Sequence, residues 1–137
     1  MMPLMRMLLT SNGVLQSGPV QDAMLELLGK PIAECRTVVL LDAMLPFPGD
    51  KGLMLDRIQQ YRALGWAECD VLTLFSGPPS GIEARLRSAD AIFCYGGTNH
   101  WLAHAWTSTG LAPVLRELLD QKAVSYTHLT LPTKRIV

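Results

Sequence analysis

The chain has 137 residues, with twelve basic and twelve acidic side chains and a formal net charge of zero. This is the length of one ordinary domain, and the balanced charge offers no basic field for nucleic acid or an anionic membrane, so we expect neither as a partner. The apolar start Met1–Met5 is too short for a signal-peptide core, and no segment is long enough to span a bilayer. Three widely spaced cysteines in apolar surroundings favour reduced thiols and a cytoplasmic location.

Short β-type runs alternate with helical patterns, which predicts an α/β fold with helices covering a mostly parallel sheet. Strands are expected at 5–10, 37–41, 71–75 and 91–95, with a fifth near residue 123. Helices are expected at 18–28, 53–64, 80–88, 99–109 and 111–121. Each helix lies between two predicted strands, as parallel pairing requires.

Helix ends are indicated by capping residues. Ser17 is placed to cap the first helix and Gly29 to end it. Ser80 and Glu83 have the spacing of a capping box at the start of the third helix. Apolar residues at helical spacing predict two buried stripes. These stripes consist of Leu53, Ile58, Tyr61 and Leu64 in the second helix, and Val114, Leu115, Leu118 and Leu119 in the last.

A glycine pair, Gly96-Gly97, follows the fourth predicted strand and leads directly into a helix that begins near Asn99. Ligands of open parallel sheets gather at the carboxyl ends of strands, near helix N-termini. Two glycines allow close approach of a substrate and can direct an amide toward a developing negative charge, as an oxyanion hole requires. A tight strand-to-helix turn explains the same pair equally well.

Three segments in this order, LLTSNG, SADAIFCYGGTNHWL and STGLAPVLRELL, resemble the amino-terminal part of the peptidase E family. These are the S51 serine peptidases, with cyanophycinases as relatives, and the resemblance covers roughly residues 6–124. It implies a three-layer α/β sandwich similar to class I glutamine amidotransferases, truncated at the carboxyl terminus. It also implies a serine peptidase that cleaves small peptides after an amino-terminal aspartate through an acyl-enzyme, and we expect no cofactor.

The resemblance also assigns roles to the glycine turn. It implies that the Gly97 amide is the oxyanion donor, while Gly96, Thr98 and Asn99 shape the pocket for a small peptide substrate. The chain departs from the family stretch in two ways: Tyr95 replaces a glycine found in many members, and Thr98-Asn99 inverts the usual order.

The nucleophile and the base of such a peptidase are not found in this sequence. A family member should end its fifth strand with Gly-x-Ser-Ala-Gly, because a serine on that strained elbow needs small neighbours. Ser125 has Val124 and Tyr126 beside it instead, and its proximity to His128 does not make a catalytic pair, since triad partners meet through folding. In the family the base comes from later strands. We therefore expect the polypeptide as written to be inactive.

The end of the chain has a different character from the rest. AVSYTHLTLPT is similar to a translated sequencing adapter, which predicts a peptidase-like domain at 1–124 and a non-native tail at 125–137. A native tail with a Thr-Leu-Thr-Leu strand pattern is the alternative.

Other functions remain as alternatives. A non-catalytic α/β module could use the same glycine turn and helix start to bind a small carboxylate or phosphate. A glutaminase would need a Gly-x-Cys-x-Gly elbow, whereas Cys94 falls inside a predicted strand and is expected to be a buried thiol. His100 and His104 share a helix face, but no third ligand is near them in sequence, so we expect no metal.

Overall fold

The structure, a computed structural model, describes residues 7–10, 18–121 and 123–127. Each strand is followed by at least one helix before the next strand, as the sequence predicts. The elements are β1 (Met7–Thr10), α1 (Pro19–Leu28), β2 (Arg36–Leu40), α2 (Gly52–Arg62), β3 (Glu68–Leu72), α3 (Pro79–Ser88), β4 (Ala91–Cys94), α4 (Asn99–Ser108), α5 (Ala112–Gln121) and β5 (Ala123–Thr127). A single 3-10 turn, Ile32–Glu34, precedes β2.

The strands form one parallel sheet in the order β1-β5-β4-β2-β3. The first two crossovers move toward the β3 edge and the next two move back. Since crossovers between parallel strands share one hand, the two directions must place their helices on opposite faces. The packing agrees: α1 and α2 cover one face, and α3, α4 and α5 cover the other. The predicted three-layer α/β architecture is confirmed.

Each face of the sheet has its own apolar core. Met24 of α1 and Tyr61 of α2 pack against Phe93 on one face. Leu86 of α3 and Leu118 of α5 pack with Ile92 on the other. Burial of alternating residues of β4 on both faces explains why this strand is continuously apolar. The predicted stripe of α5 is confirmed, with Val114 and Leu118 buried and Leu115 and Leu119 partly buried.

The third strand lies three residues earlier than hydrophobicity predicts, at 68–72 rather than 71–75. β3 is the edge of the described sheet, so polar residues such as Glu68 and Asp70 are tolerated in it. After Leu72 the chain turns: the Thr73 amide donates to Ser76 Oγ at 2.8 Å. Leu74 and Phe75, which suggested that the strand continued, belong to this turn.

Three local predictions are wrong. Ser80 and Glu83 form no capping box: α3 begins at Pro79 without a side-chain cap, and Glu83 pairs instead with Arg87 at 2.8 Å. In α2, Leu53 is 61% exposed, and Met54 is buried instead because Met54 lies four and seven residues before Ile58 and Tyr61, on the same helix face. The third concerns the N-cap of α1, which is Gly18 and not Ser17. Ser17 lies outside the described residues.

Gly29 ends α1 in the left-handed conformation, with φ 71°, as predicted. The three cysteines carry free thiols: Cys35 and Cys94 are buried and Cys69 is half-buried. In the described part of the chain, none of the helices has the length and hydrophobicity needed to cross a bilayer.

Candidate functional site

The glycine turn follows β4, which lies between β5 and β2 in the sheet. The Tyr95 amide donates to the Leu40 carbonyl at 2.9 Å, and the Thr98 amide donates to the Ala43 carbonyl at 2.8 Å. Both ends of the turn are therefore attached to the carboxyl end of β2 and the residues after it.

Gly97 lacks a side chain for an identifiable reason. A Cβ on Gly97 would lie 2.2 Å from the Ala43 carbonyl oxygen and 2.6 Å from its carbon. No real side chain fits this distance, so the close approach that the glycine pair predicts is an approach to the Ala43 backbone. The tight-turn explanation thus accounts for this glycine, and an oxyanion role must rest on the direction and availability of the amide.

The amides of the turn differ in availability. The Thr98 amide is occupied by Ala43, and Gly96 is buried. Gly97 is only half-buried, and within the described parts of the chain its amide donates no hydrogen bond. An unpaired amide that is open to solvent can accept an anionic ligand as a partner. Among the described residues no acceptor is found for the amide of Gly96 or of Gly97, and Gly97 is the less buried of the two, so it is the candidate donor for a substrate oxygen.

The remaining predicted pocket residues lie at the start of α4. Thr98 is its N-cap, and Thr98 Oγ1 accepts a hydrogen bond from the Trp101 amide at 3.3 Å. Asn99 is the first helical residue and is exposed. The positive end of the helix dipole thus lies beside Gly97, which favours negative charge there.

Asp42 is a residue of the site that the sequence analysis missed. It is 2% exposed, two residues after β2 ends at Leu40, and both carboxylate oxygens lie 3.0–3.1 Å from the Leu74 amide. Burial raises the pKa of Asp42, while hydrogen bonds from the Leu74 amide and its own amide oppose the rise. An acid directly after a run as apolar as TVVLL was the available sequence signal.

The carboxyl end of β5 lies next to the glycine turn. Cys94 pairs in register with Tyr126, so the last strand residue, Thr127, is one position further along, beside the start of the turn. Ser125 pairs with Phe93 on one side and Leu8 on the other, which places it inside the strand. A nucleophile elbow is the sharp turn after a strand, so Ser125 is not on one. His128 lies outside the described residues.

The other candidate groups show no catalytic arrangement. Cys94 is buried in β4, where burial raises the pKa of its thiol to about 12. The His104 ring packs 5.0 Å from the Trp101 ring, between centroids. Among the residues that the structure describes, no group of three or more His, Cys, Asp or Glu side chains could hold a metal ion.

A parallel sheet covered by helices on both faces, with a glycine turn after β4, defines a three-layer α/β domain. Residues 7–127 match the model of peptidase family S51, and the chain therefore belongs to this family.

Solved structures agree on the fold. A protein from Listeria monocytogenes EGD-e, named as a candidate peptidase E, superposes with a TM-score of 0.67 at 17% identity, over 90% of this chain and 58% of that one. A peptidase from an acI-B1 Actinobacterium gives a TM-score of 0.57 at 15% identity, over 88% of this chain and 52% of that one. The chain thus spans a little over half the length of these structures. Comparison with curated proteins gave no match.

Proposed function

We propose that this chain carries the oxyanion-binding part of a serine peptidase that hydrolyses small peptides with an amino-terminal aspartate. Membership of peptidase family S51 supports the class of reaction. The observation that carries the assignment is the Gly97 amide, half-buried, without a described acceptor and beside the N-terminus of α4. The aspartate preference rests on the resemblance to peptidase E.

The proposed chemistry is acyl transfer. A serine oxygen attacks the peptide carbonyl as a histidine takes its proton, and the Gly97 amide donates to the tetrahedral oxyanion. The amine then leaves with that proton, and water hydrolyses the acyl-enzyme. A nucleophile at the end of β5 would be adjacent to the glycine turn, since β4 and β5 are neighbours. One such donor contributes about 10²–10³ in kcat.

The proposal includes the absence of turnover by the 137-residue polypeptide itself. Its support is the position of Ser125, paired on both sides within β5. The test is release of free amino acid from Asp-X dipeptides by the purified chain, with Ser125→Ala as the matched variant. We expect neither protein to exceed the background rate. Turnover that Ser125→Ala abolishes would contradict this account of the strand.

The boundary predicted between residues 124 and 125 falls inside β5 (Ala123–Thr127), and the family match extends to residue 127. The non-native tail stays a prediction, as does the cytoplasmic location. Independent sequencing of the source DNA across the codons for Gln121 to Val137 tests the tail. We expect a reading frame that continues into Gly-x-Ser-Ala-Gly. A confirmed stop after Val137 would contradict that expectation.

A binding module is the second candidate, and the same free amide favours it. Such a module would hold a carboxylate or phosphate at Gly97 and the start of α4 without chemistry. Thermal unfolding distinguishes the two. Stabilisation by phosphate and acetate as strong as that by an Asp-X dipeptide indicates a general anion site, whereas selective stabilisation by the dipeptide supports the peptidase.

A further inference from the structure

We propose that Asp42 is a positioning residue for the glycine turn: its carboxylate fixes Ala43, and Ala43 fixes Thr98 and Gly97. The inference rests on the proposed function only where it concerns substrate binding. Its geometric part, the coupling between Asp42 and the turn, stands on contacts within the chain.

The burial of Asp42 is costly and requires a compensating interaction. It is the one charged side chain among the described residues that the sheet and its helices bury completely. A buried carboxylate is tolerated only where hydrogen bonds replace its water, and here the Leu74 amide and the residue's own amide supply them. A hydrophobic side chain could fill the same buried space. The specific contribution of Asp42 is therefore its hydrogen bonds.

The location of Asp42 explains what these bonds do. The β2–β3 ladder ends at the pair Leu40 and Leu72, followed by one more bond from the Leu41 amide to the Leu72 carbonyl. Beyond this point no backbone hydrogen bond between the two segments is described. The Asp42 side chain reaches the Leu74 amide and so continues the connection between the ends of β2 and β3 by one further link.

Ala43 transmits this connection to the glycine turn. It is 0% exposed, its carbonyl accepts the Thr98 amide at 2.8 Å, and the Gly97 backbone lies against the same carbonyl. A shift of Ala43 must therefore move Thr98 and Gly97. The chain of contacts from Leu74 through Asp42 and Ala43 thus determines where the Gly97 amide points.

Amide hydrogen exchange of the 137-residue protein tests the coupling. Asp42→Ala removes the acceptor, and Asp42→Asn keeps one oxygen for the Leu74 amide. The hydrogen-exchange rate of the Thr98 amide is divided by the rate of the Val39 amide, so that global destabilisation cancels. Val39 is a buried residue of β2. We expect Asp42→Ala to raise this ratio by about tenfold. In Asp42→Asn the ratio should lie close to its value in the unmodified protein.

Asp70→Ala is the matched control, because it also removes a hydrogen-bonded carboxylate but from the Arg85 pair on β3. We expect it to leave the Thr98 ratio unchanged. An unchanged ratio in Asp42→Ala, or an equal rise in Asp70→Ala, would overturn the proposal, since Asp42 would then be merely structural.

A measurement without variants covers the case in which Asp42→Ala does not fold. In the unmodified protein, exchange of the Leu74 and Thr98 amides is followed at increasing urea. A shared opening free energy and a shared urea dependence support one cooperative unit, and separate values overturn the coupling. The proposed function is tested separately. It fails if an Asp-X dipeptide does not shift the amide NMR signal of Gly97 in the unmodified protein.

Discussion

Gly97 packs directly against the carbonyl of Ala43, so closely that a Cβ on Gly97 would lie only 2.2 Å from the Ala43 oxygen. The contact joins the glycine turn after β4 to the segment after β2, its neighbour in the sheet. It orients the turn independently of any ligand. A preorganised donor of this kind is what electrostatic stabilisation of an oxyanion requires.

Replacing Gly97 by alanine should therefore damage the turn. The Cβ must displace backbone atoms rather than a flexible side chain, so we expect Gly97→Ala to lower the free energy of unfolding by about 1–3 kcal/mol, measured by urea titration. Gly77→Ala is the control, because nothing lies within 4 Å of a Cβ at Gly77. It should change stability by less than about 0.5 kcal/mol. Equal effects of the two substitutions would show that the contact is absent.

The hydroxyls of Thr37 and Tyr61 form a buried hydrogen bond of 2.6 Å that links β2 to α2. Removing either partner leaves the other unpaired in the core, so Tyr61→Phe and Thr37→Val should each cost about 1–3 kcal/mol. The double variant should cost clearly less than the sum, because no buried hydroxyl then remains. Strict additivity in a double-mutant cycle would contradict the bond.

The Asp70–Arg85 pair predicts a pH dependence of stability. Arg85 donates to both carboxylate oxygens, at 2.7 and 2.9 Å, and this hydrogen bonding holds the pKa of Asp70 below its ordinary value of 3.8. The folded state thus favours the ionised form. The pair's contribution is fully present above 3.8 and is lost as the pH falls through the lowered pKa.

Urea unfolding of the wild type and Asp70→Asn at a series of pH values measures this contribution. Both side chains are partly exposed, so we expect a difference below about 1 kcal/mol at neutral pH. The difference should shrink in acid. A difference that grows as the pH falls would contradict the assigned direction.

Cys94 should be inert although it lies close to the glycine turn. Its thiol is buried, and the pKa of about 12 leaves almost no thiolate at neutral pH. We expect iodoacetamide to label half-buried Cys69 first, and Cys69→Ser to remove the labelling of the folded protein. All three cysteines should react in urea. Rapid labelling of Cys94 in the folded state would favour a thiol-based site over the serine peptidase.

The alternation of apolar runs and helical patterns was sufficient to predict the layers, because parallel strands buried on both faces leave a strong sequence signal. β4 shows this most clearly, with all four residues buried. The edge strand β3 was misplaced because its polar residues, Glu68 and Asp70, are stabilised by Arg36 and Arg85 from neighbouring elements. A local sequence pattern cannot predict ion pairs with residues of other elements.

The candidate site was predictable only in part. Gly97 could be singled out because glycine after a strand is informative, and family resemblance supplied its role. Asp42 could not be assigned, since its partner, Leu74, is 32 residues away in sequence. The predicted capping role of Ser80 failed for a local reason: α3 starts at Pro79, so Ser80 lies inside the helix, and Glu83 binds Arg87 four residues further along.

The most direct test of the proposed function is titration of the 137-residue protein with an Asp-X dipeptide, followed by amide NMR. The account predicts that the Gly97 signal shifts in a saturable manner, while a dipeptide without aspartate has a much weaker effect. Amides far from the turn, such as that of Glu34, should not move. Saturable binding that shifts other amides and leaves Gly97 unchanged, or no binding at millimolar dipeptide, would contradict the assignment of the oxyanion donor.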